Sequence, residues 1–147
     1  MDLGAGVVVQ TRVVGPVDAT DTLIAVHGGP GLSLEAMSAF ELLAGPDRRV
    51  VSYDQRGAGR STAPDDLDYS LDAHVADLEA LRSALGAGSV QLVGQSWGGA
   101  IASAYAATHP DRVSALVLVG AVPLDQAEYL AGCGKSGSWV LGDARTV

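Results

Sequence analysis

Val93 to Ala100 reads VGQSWGGA, a serine between two glycines directly after an apolar run, and the reading of this stretch decides the fold. The residues leading into it, SVQLV from Ser89 to Val93, form a short, nearly continuous apolar run of the kind that suits a parallel strand covered on both faces. The residues after it, Gly98 to Thr108, are alanine-rich and stop before Pro110, as a helix does. A serine at so tight a strand-to-helix turn takes a strained backbone, and its neighbours two positions away must be small to avoid collision. Gly94 and Gly98 meet that demand. Such a turn lifts the Ser96 hydroxyl above the carboxyl ends of the strands and beside a helix N-terminus, where developing negative charge is favoured. This is the arrangement of a nucleophile elbow.

Working outward, strand-like and helix-like segments alternate. TLIAV (Thr22 to Val26), RVVSY (Arg49 to Tyr53) and VSALVLV (Val113 to Val119) are further short apolar runs. VVVQTRVV (Val7 to Val14) is β-branched and is expected to open a hairpin closed by the GPVDATD turn. From Ser70 to Leu85, Leu71, Val75, Leu78, Leu81 and Leu85 recur at helical spacing behind Ser70 as N-cap. A weaker helix is expected over Ser33 to Leu43, ended by Gly45 and Pro46. Strand, helix, strand in repetition predicts an α/β fold, a mostly parallel, doubly wound sheet. Residues 1–123 read as one such unit. Residues 124–147, with Gly132, Gly134, Gly137 and Gly142 and no periodic apolar face, stay unassigned.

Composition narrows the partners. The chain has 147 residues, room for one domain with a real core. Nine Lys and Arg against 17 Asp and Glu leave a net charge of −8, which argues against nucleic acid or an anionic membrane surface as partner. Cys133 stands alone and cannot close an internal disulfide, which fits a reducing cytoplasm. Neither a targeting segment nor an apolar stretch near the roughly 20 residues of a membrane span is visible, so the chain is expected to be cytoplasmic. No cluster with metal-ligand spacing appears, and neither a metal nor an organic cofactor is expected.

Two more motifs follow earlier strands. HGGPG, His27 to Gly31, ends the run TLIAV, and its glycines would let backbone N–H groups approach a developing oxyanion. DQRGAGRS, Asp54 to Ser61, follows RVVSY, and its charged side chains could brace the loops around the site. Together, HGGPG, DQRGAGRS and GQSWGG in this order resemble the α/β-hydrolases of the proline iminopeptidase type, over approximately Val7 to Pro123. The resemblance implies an α/β-hydrolase fold and a serine peptidase that releases N-terminal proline from peptides. It implies Ser96 as nucleophile and an oxyanion hole from the Trp97 amide with Gly28 or Gly29. It gives His27, Pro30, Gly31, Gly94 and Gly98 supporting roles in loop and elbow, and sets the Trp97 ring against the proline ring of a substrate. A serine rather than an aspartate at the elbow argues against the haloalkane dehalogenase and epoxide hydrolase relatives.

The rest of a triad is missing from this pattern. In that fold the order is serine, carboxylate, histidine, the last two on loops after later strands. His109 is the only histidine after Ser96, at the far end of the helix that Ser96 opens, and about 15 to 20 Å of helix separates them. His74 falls mid-helix beside an apolar stripe and reads as a packing residue; His27 reads as a loop holder. Asp125, Glu128 and Asp143 have no strand before them to position them. The expectation is therefore the front portion of the fold, shortened before the later strands and cap by truncation or a frameshift near Pro123, with VSALVLV left as a sheet edge apolar on both faces. Such an edge invites a complementing chain or self-association. The alternatives are an esterase-type hydrolase completed by a second chain and a non-catalytic binding module. Peptide and ester substrates both stay open.

Overall fold

The computed structural model describes residues 1–29, 31–62, 64 and 68–122. Residues 124–147, with Cys133, Asp125, Glu128 and Asp143, lie outside the described residues, as does Pro30. A short pair, β1 (Asp2–Gly4) and β2 (Val7–Val8), precedes the main sheet of β3 (Thr11–Val14), β4 (Asp21–Val26), β5 (Arg48–Tyr53), β6 (Val90–Gln95) and β7 (Val113–Val119). The sheet runs in the order β3-β5-β4-β6-β7. β4 pairs in parallel with β5 and β6, β6 pairs in parallel with β7, and β3 alone is antiparallel, on β5. The alternating pattern thus gives the α/β hydrolase sheet that the sequence foretells.

Why these strands bury both faces is visible in their alternation. Ile24, Val26, Val51, Tyr53, Leu92, Leu116 and Leu118 face α1 (Leu71–Ala84) and α2 (Trp97–Thr108), and pack with Leu78, Leu81, Ile101 and Tyr105. Leu23, Ala25, Val50 and Val93 face the other way and pack with Met37 and Phe40 from the segment between β4 and β5. Burial on both faces is why the middles of β4 and β5, Leu23 to Val26 and Val50 to Val51, are unbroken apolar runs. Helix α1 is capped as its sequence foretells: the Ser70 hydroxyl accepts from the Ala73 N–H at 3.2 Å. Its far end is tied to the sheet by Arg49, which is buried and donates to the carbonyls of Val17 (2.9 Å) and Leu85 (2.6 Å) and to the Thr22 hydroxyl (2.9 Å).

Two local expectations are corrected. The hairpin foretold between Val7–Val14 and the following strand does not form: both sides of β4 are taken by parallel neighbours, so β3 pairs with β5 instead. The hairpin in this region is β1–β2, turning at Ala5 (φ 50°) and Gly6 (φ 78°). The helix expected over Ser33 to Leu43 is a 3-10 helix, Leu34–Leu43, with Ala36 N–H bonding to Ser33 C=O at 3.0 Å and Ala44 N–H to Glu41 C=O at 3.1 Å. Arg12 of β3 grips both Glu35 and Glu41. Residues six apart stand on one side of a helix with three residues per turn and on different sides of an α-helix, so the tighter winding lets both carboxylates face Arg12.

β7 is the edge of the sheet among the described residues, as expected, and on it Val117 is 38% exposed while Leu116 and Leu118 are buried. Its two faces are thus unequal: one is packed on the helices, the other partly open. Replacing fully buried Leu78 by Ala should cost about 2 to 5 kcal/mol in urea unfolding. The same change at Leu42, 88% exposed, should stay within about 0.5 kcal/mol. Equal midpoints for the two variants would contradict this packing.

Candidate active site

Ser96 stands between β6 and α2 with φ 51° and ψ −117°, one of two non-glycine residues with positive φ among the described residues. A serine there is strained by roughly 1 to 2 kcal/mol. Neighbouring backbone holds it in place. The Ser96 N–H donates to the Val119 carbonyl at 3.0 Å, and the Ser96 carbonyl accepts from Gly99 N–H at 2.9 Å and Val122 N–H at 3.1 Å. Its hydroxyl makes no capping bond to α2 although it occupies the N-cap position, so Oγ is left for chemistry at the end of a helix dipole. The side chain is half-buried.

The flanking glycines are demanded by contact. A Cβ on Gly98 would lie 2.1 Å from the Val26 carbonyl oxygen, and one on Gly94 would lie 2.5 Å from the Gly98 carbonyl oxygen. Gly99, which the sequence reading left without a role, admits no side chain either, because a Cβ there would meet Ala121 at 2.4 Å. Its doubling after Trp97 was the available signal.

His27 to Gly31 follows β4, the central neighbour of β6, and this brings the glycine loop against the elbow. A Cβ on Gly28 would be 3.0 Å from both the Gln95 carbonyl oxygen and the Ser96 Cβ, tight enough that one of these neighbours would have to give way by a few tenths of an ångström. Gly29 (φ 111°) and Gly31 (φ 95°) take conformations that side-chain-bearing residues avoid. Ser96, the Trp97 amide at the first turn of α2, and Gly28 are therefore gathered at one end of the sheet, with Gly29 next in the chain.

The three histidines of the chain are all described, and each is occupied elsewhere. His27 is fully buried; its Nε2 accepts from the Gln55 N–H at 3.1 Å, which puts the proton on Nδ1, 2.7 Å from the Gly28 carbonyl. Gln55 Nε2 also donates to the His27 carbonyl at 2.6 Å. His74 is buried in α1 and meets the Trp97 ring edge to face at 5.8 Å. Trp97 is thus half-buried against α1 and the core, with its indole Nε1 buried and unpartnered. His109 caps the opposite end of α2 and stacks on Tyr105 at 4.7 Å. Beneath the site, Arg56 clasps Asp77 of α1 with two bonds of 2.7 and 2.6 Å, both side chains buried. Gln55, Arg56 and Asp54 all come from DQRGAGRS, whose charge pattern signalled bracing without indicating which loop each residue holds. Among the described residues no group of three or more His, Cys, Asp or Glu could hold a metal ion, and no helix is long and apolar enough to cross a membrane.

The chain matches the family described as alpha/beta hydrolase fold over residues 21–138. It is similar to a proline iminopeptidase of Lactobacillus helveticus (strain DPC 4571), 40% identical over 111 residues, which are 73% of this chain and 38% of that protein. A proline iminopeptidase of Xylella fastidiosa (strain 9a5c) is 46% identical over 101 residues, 67% of this chain and 31% of that protein. Among solved structures, the proline iminopeptidase of Mycobacterium smegmatis superposes with a TM-score of 0.69 at 30% identity, covering 77% of this chain and 40% of that one. The chain spans about two fifths or less of the length of these relatives.

Burial holds His27 below the ordinary imidazole value, against the opposing pull of the Gly28 carbonyl and Asp54; burial and then the Arg56 charge do the same for His74. Both resist protonation in the fold, so below about 6.5 the unfolded chain binds more protons and stability falls with pH. Carboxylates ionise lower and leave this window clear. The urea midpoint should be level from pH 8 to 7, then fall as pH drops from 6.5 to 5, and the fall should shrink in His74→Gln. A level midpoint down to pH 5 would mean that both imidazoles charge freely in the fold.

Proposed function

The chain belongs to the alpha/beta hydrolase fold family, and from that premise we propose that it carries the nucleophile half of a serine hydrolase of the proline iminopeptidase kind. Ser96 attacks the carbonyl carbon of a peptide or ester, and the tetrahedral oxyanion accepts from the Trp97 N–H and from the N–H of Gly28 or Gly29. Pro30, Gly31, Gly94 and Gly98 shape the loop and the elbow. The preferred substrate is a peptide with N-terminal proline, its ring against Trp97, as the proline iminopeptidases among the relatives suggest. Cytoplasmic location, and the lack of nucleic-acid, membrane and cofactor partners, belong to the same reading and rest on charge and cysteine count.

The observation that carries this reading is the positive φ of Ser96 with a free hydroxyl, pressed against a glycine backbone at Gly28. The engagement of all three histidines favours one refinement: general base and acid come from outside the residues described, on a complementing chain or segment that meets the open β7 edge. Serine without a base is a weak nucleophile, so turnover by this chain alone should be slight.

Intact-mass analysis after exposure to a fluorophosphonate tests the reading. Folded protein should take one adduct at Ser96, slowly but faster than any other serine, and Ser96→Ala should take none. An adduct forming as rapidly as in a complete serine hydrolase would place a base within this chain. No adduct on protein shown to be folded would leave a binding module as the better account.

A further inference from the structure

The residues described between His27 and Ser33 form neither helix nor strand, and Gly29 and Gly31 sit at φ 111° and 95°, where the chain is easily bent. The shape of this loop must therefore come from whatever holds its ends. Both ends are held by consecutive residues at the carboxyl end of β5. At the near end, Gln55 bonds His27 twice, N–H to Nε2 at 3.1 Å and Nε2 to the carbonyl at 2.6 Å. At the far end, the buried Asp54 carboxylate takes the Leu34 N–H on Oδ1 at 2.6 Å. Its second oxygen takes the Arg60 N–H at 2.8 Å.

Asp54 is itself immobilised. Its N–H donates to the Gln10 carbonyl at 2.9 Å, and its carbonyl accepts from the Ser61 hydroxyl at 2.7 Å. The space around the carboxylate is closed by backbone: a Cβ on Gly59 would lie 2.2 Å from Oδ2. Hydrogen bonds from backbone N–H to a buried carboxylate are charge-assisted and stronger than neutral ones. β5 lies next to β4, the strand that feeds the loop, so Asp54 and Gln55 fix the height of the loop against a neighbouring strand rather than against the loop itself.

We propose that Asp54 is a positioning residue for the oxyanion hole: by anchoring Leu34 it holds Gly28 and Gly29 at their distance from Ser96. The proposal rests on the reading of Ser96 as nucleophile for its catalytic consequence, but its structural half stands without it. Asp54→Ala removes both acceptors. Asp54→Asn keeps one, at Leu34 or at Arg60, and turns a donor toward the other. Ser61→Ala loosens the same network without touching Leu34 and serves as the control.

Two readouts separate the possibilities. In amide hydrogen exchange followed by mass spectrometry, peptides covering residues 27–34 should exchange at least about tenfold faster in Asp54→Ala than in the natural chain or Ser61→Ala, while α1 and β6 keep their protection. Should Asp54→Ala fail to fold, Asp54→Asn should show the same local effect, reduced to a few fold. In fluorophosphonate labelling, the rate at Ser96 should fall about 100-fold in Asp54→Ala, the size of effect that loss of an oxyanion donor produces. Exchange in residues 27–34 that is unchanged, or raised no more than in α1 and β6, overturns the proposal whether or not Ser96 reacts. Labelling that is equal in the natural chain and in Asp54→Ala overturns its catalytic half while leaving the nucleophile reading intact. A natural chain that takes no label, with exchange that depends on Asp54, sinks the nucleophile reading and supports the anchor.

Discussion

Among the described glycines, Gly98 at the elbow leaves the least room for a Cβ, 2.1 Å from the Val26 carbonyl oxygen, and four elements converge on it. The carbonyl ends of β4, the last residues of β6, the first turn of α2 and the loop after β7 meet where Gly94, Gly98 and Gly99 leave no space for a Cβ and Gly28 leaves little. Ser96, at the centre, has a backbone conformation costing roughly 1 to 2 kcal/mol. Three backbone hydrogen bonds on its own N–H and carbonyl, each contributing about 1 kcal/mol, are enough to offset that. A parallel sheet makes the convergence possible, because the carboxyl ends of β4, β5, β6 and β7 all lie at one edge.

The two neighbours of Ser96 bear a different cost. Gln95 Oε1 and Trp97 Nε1 are each buried without a hydrogen-bond partner, at an expense on the order of 1 to 3 kcal/mol apiece. Such groups are uncommon in native interiors and concentrate where geometry serves something other than stability. Among the described residues Arg48 Nε and Ser52 Oγ are also buried without a partner, while other buried polar groups are paired. Arg49 satisfies its guanidinium on two carbonyls and a hydroxyl, and Arg56 shares two bonds with Asp77. Tyr105 donates to Glu79 at 2.5 Å, and Arg82 with this hydroxyl holds the Glu79 carboxyl down to about 2. Two of the four such groups among the described residues thus flank the serine, and the other two lie on β5.

What was legible in the sequence was what is decided locally. β4 to β7, α1 with its Ser70 cap and α2 follow from apolar period and punctuation, and the elbow follows from the spacing of Gly94, Ser96 and Gly98. The partner of β3 was not legible, since an antiparallel strand of four residues cannot signal which neighbour it will join. Nor was the 3-10 winding of Leu34–Leu43, in which Glu35 and Glu41 both meet Arg12 of β3. In the site, the glycine loop could be read but its anchors could not. DQRGAGRS has the composition of a solvated turn, yet Asp54, Gln55 and Arg56 are all buried, each bonded to a different element.

The position of β7 ties the elbow to the edge of the sheet. Its last residue, Val119, accepts the Ser96 N–H, and three residues beyond its end the chain returns to the Ser96 carbonyl through Val122. Ser96 is thus held on one side by the sheet interior, through Gly28 and Gly98, and on the other by β7, one of the two strands of this sheet with a single partner among the described residues. Hydrogen bonds at a sheet edge open more readily than those of a central strand, because one side of the ladder is unpaired. A strand added to β7 would stiffen Val119 and, through it, the backbone that strains the serine. Val119 thus joins the ladder of β7 to the backbone of Ser96.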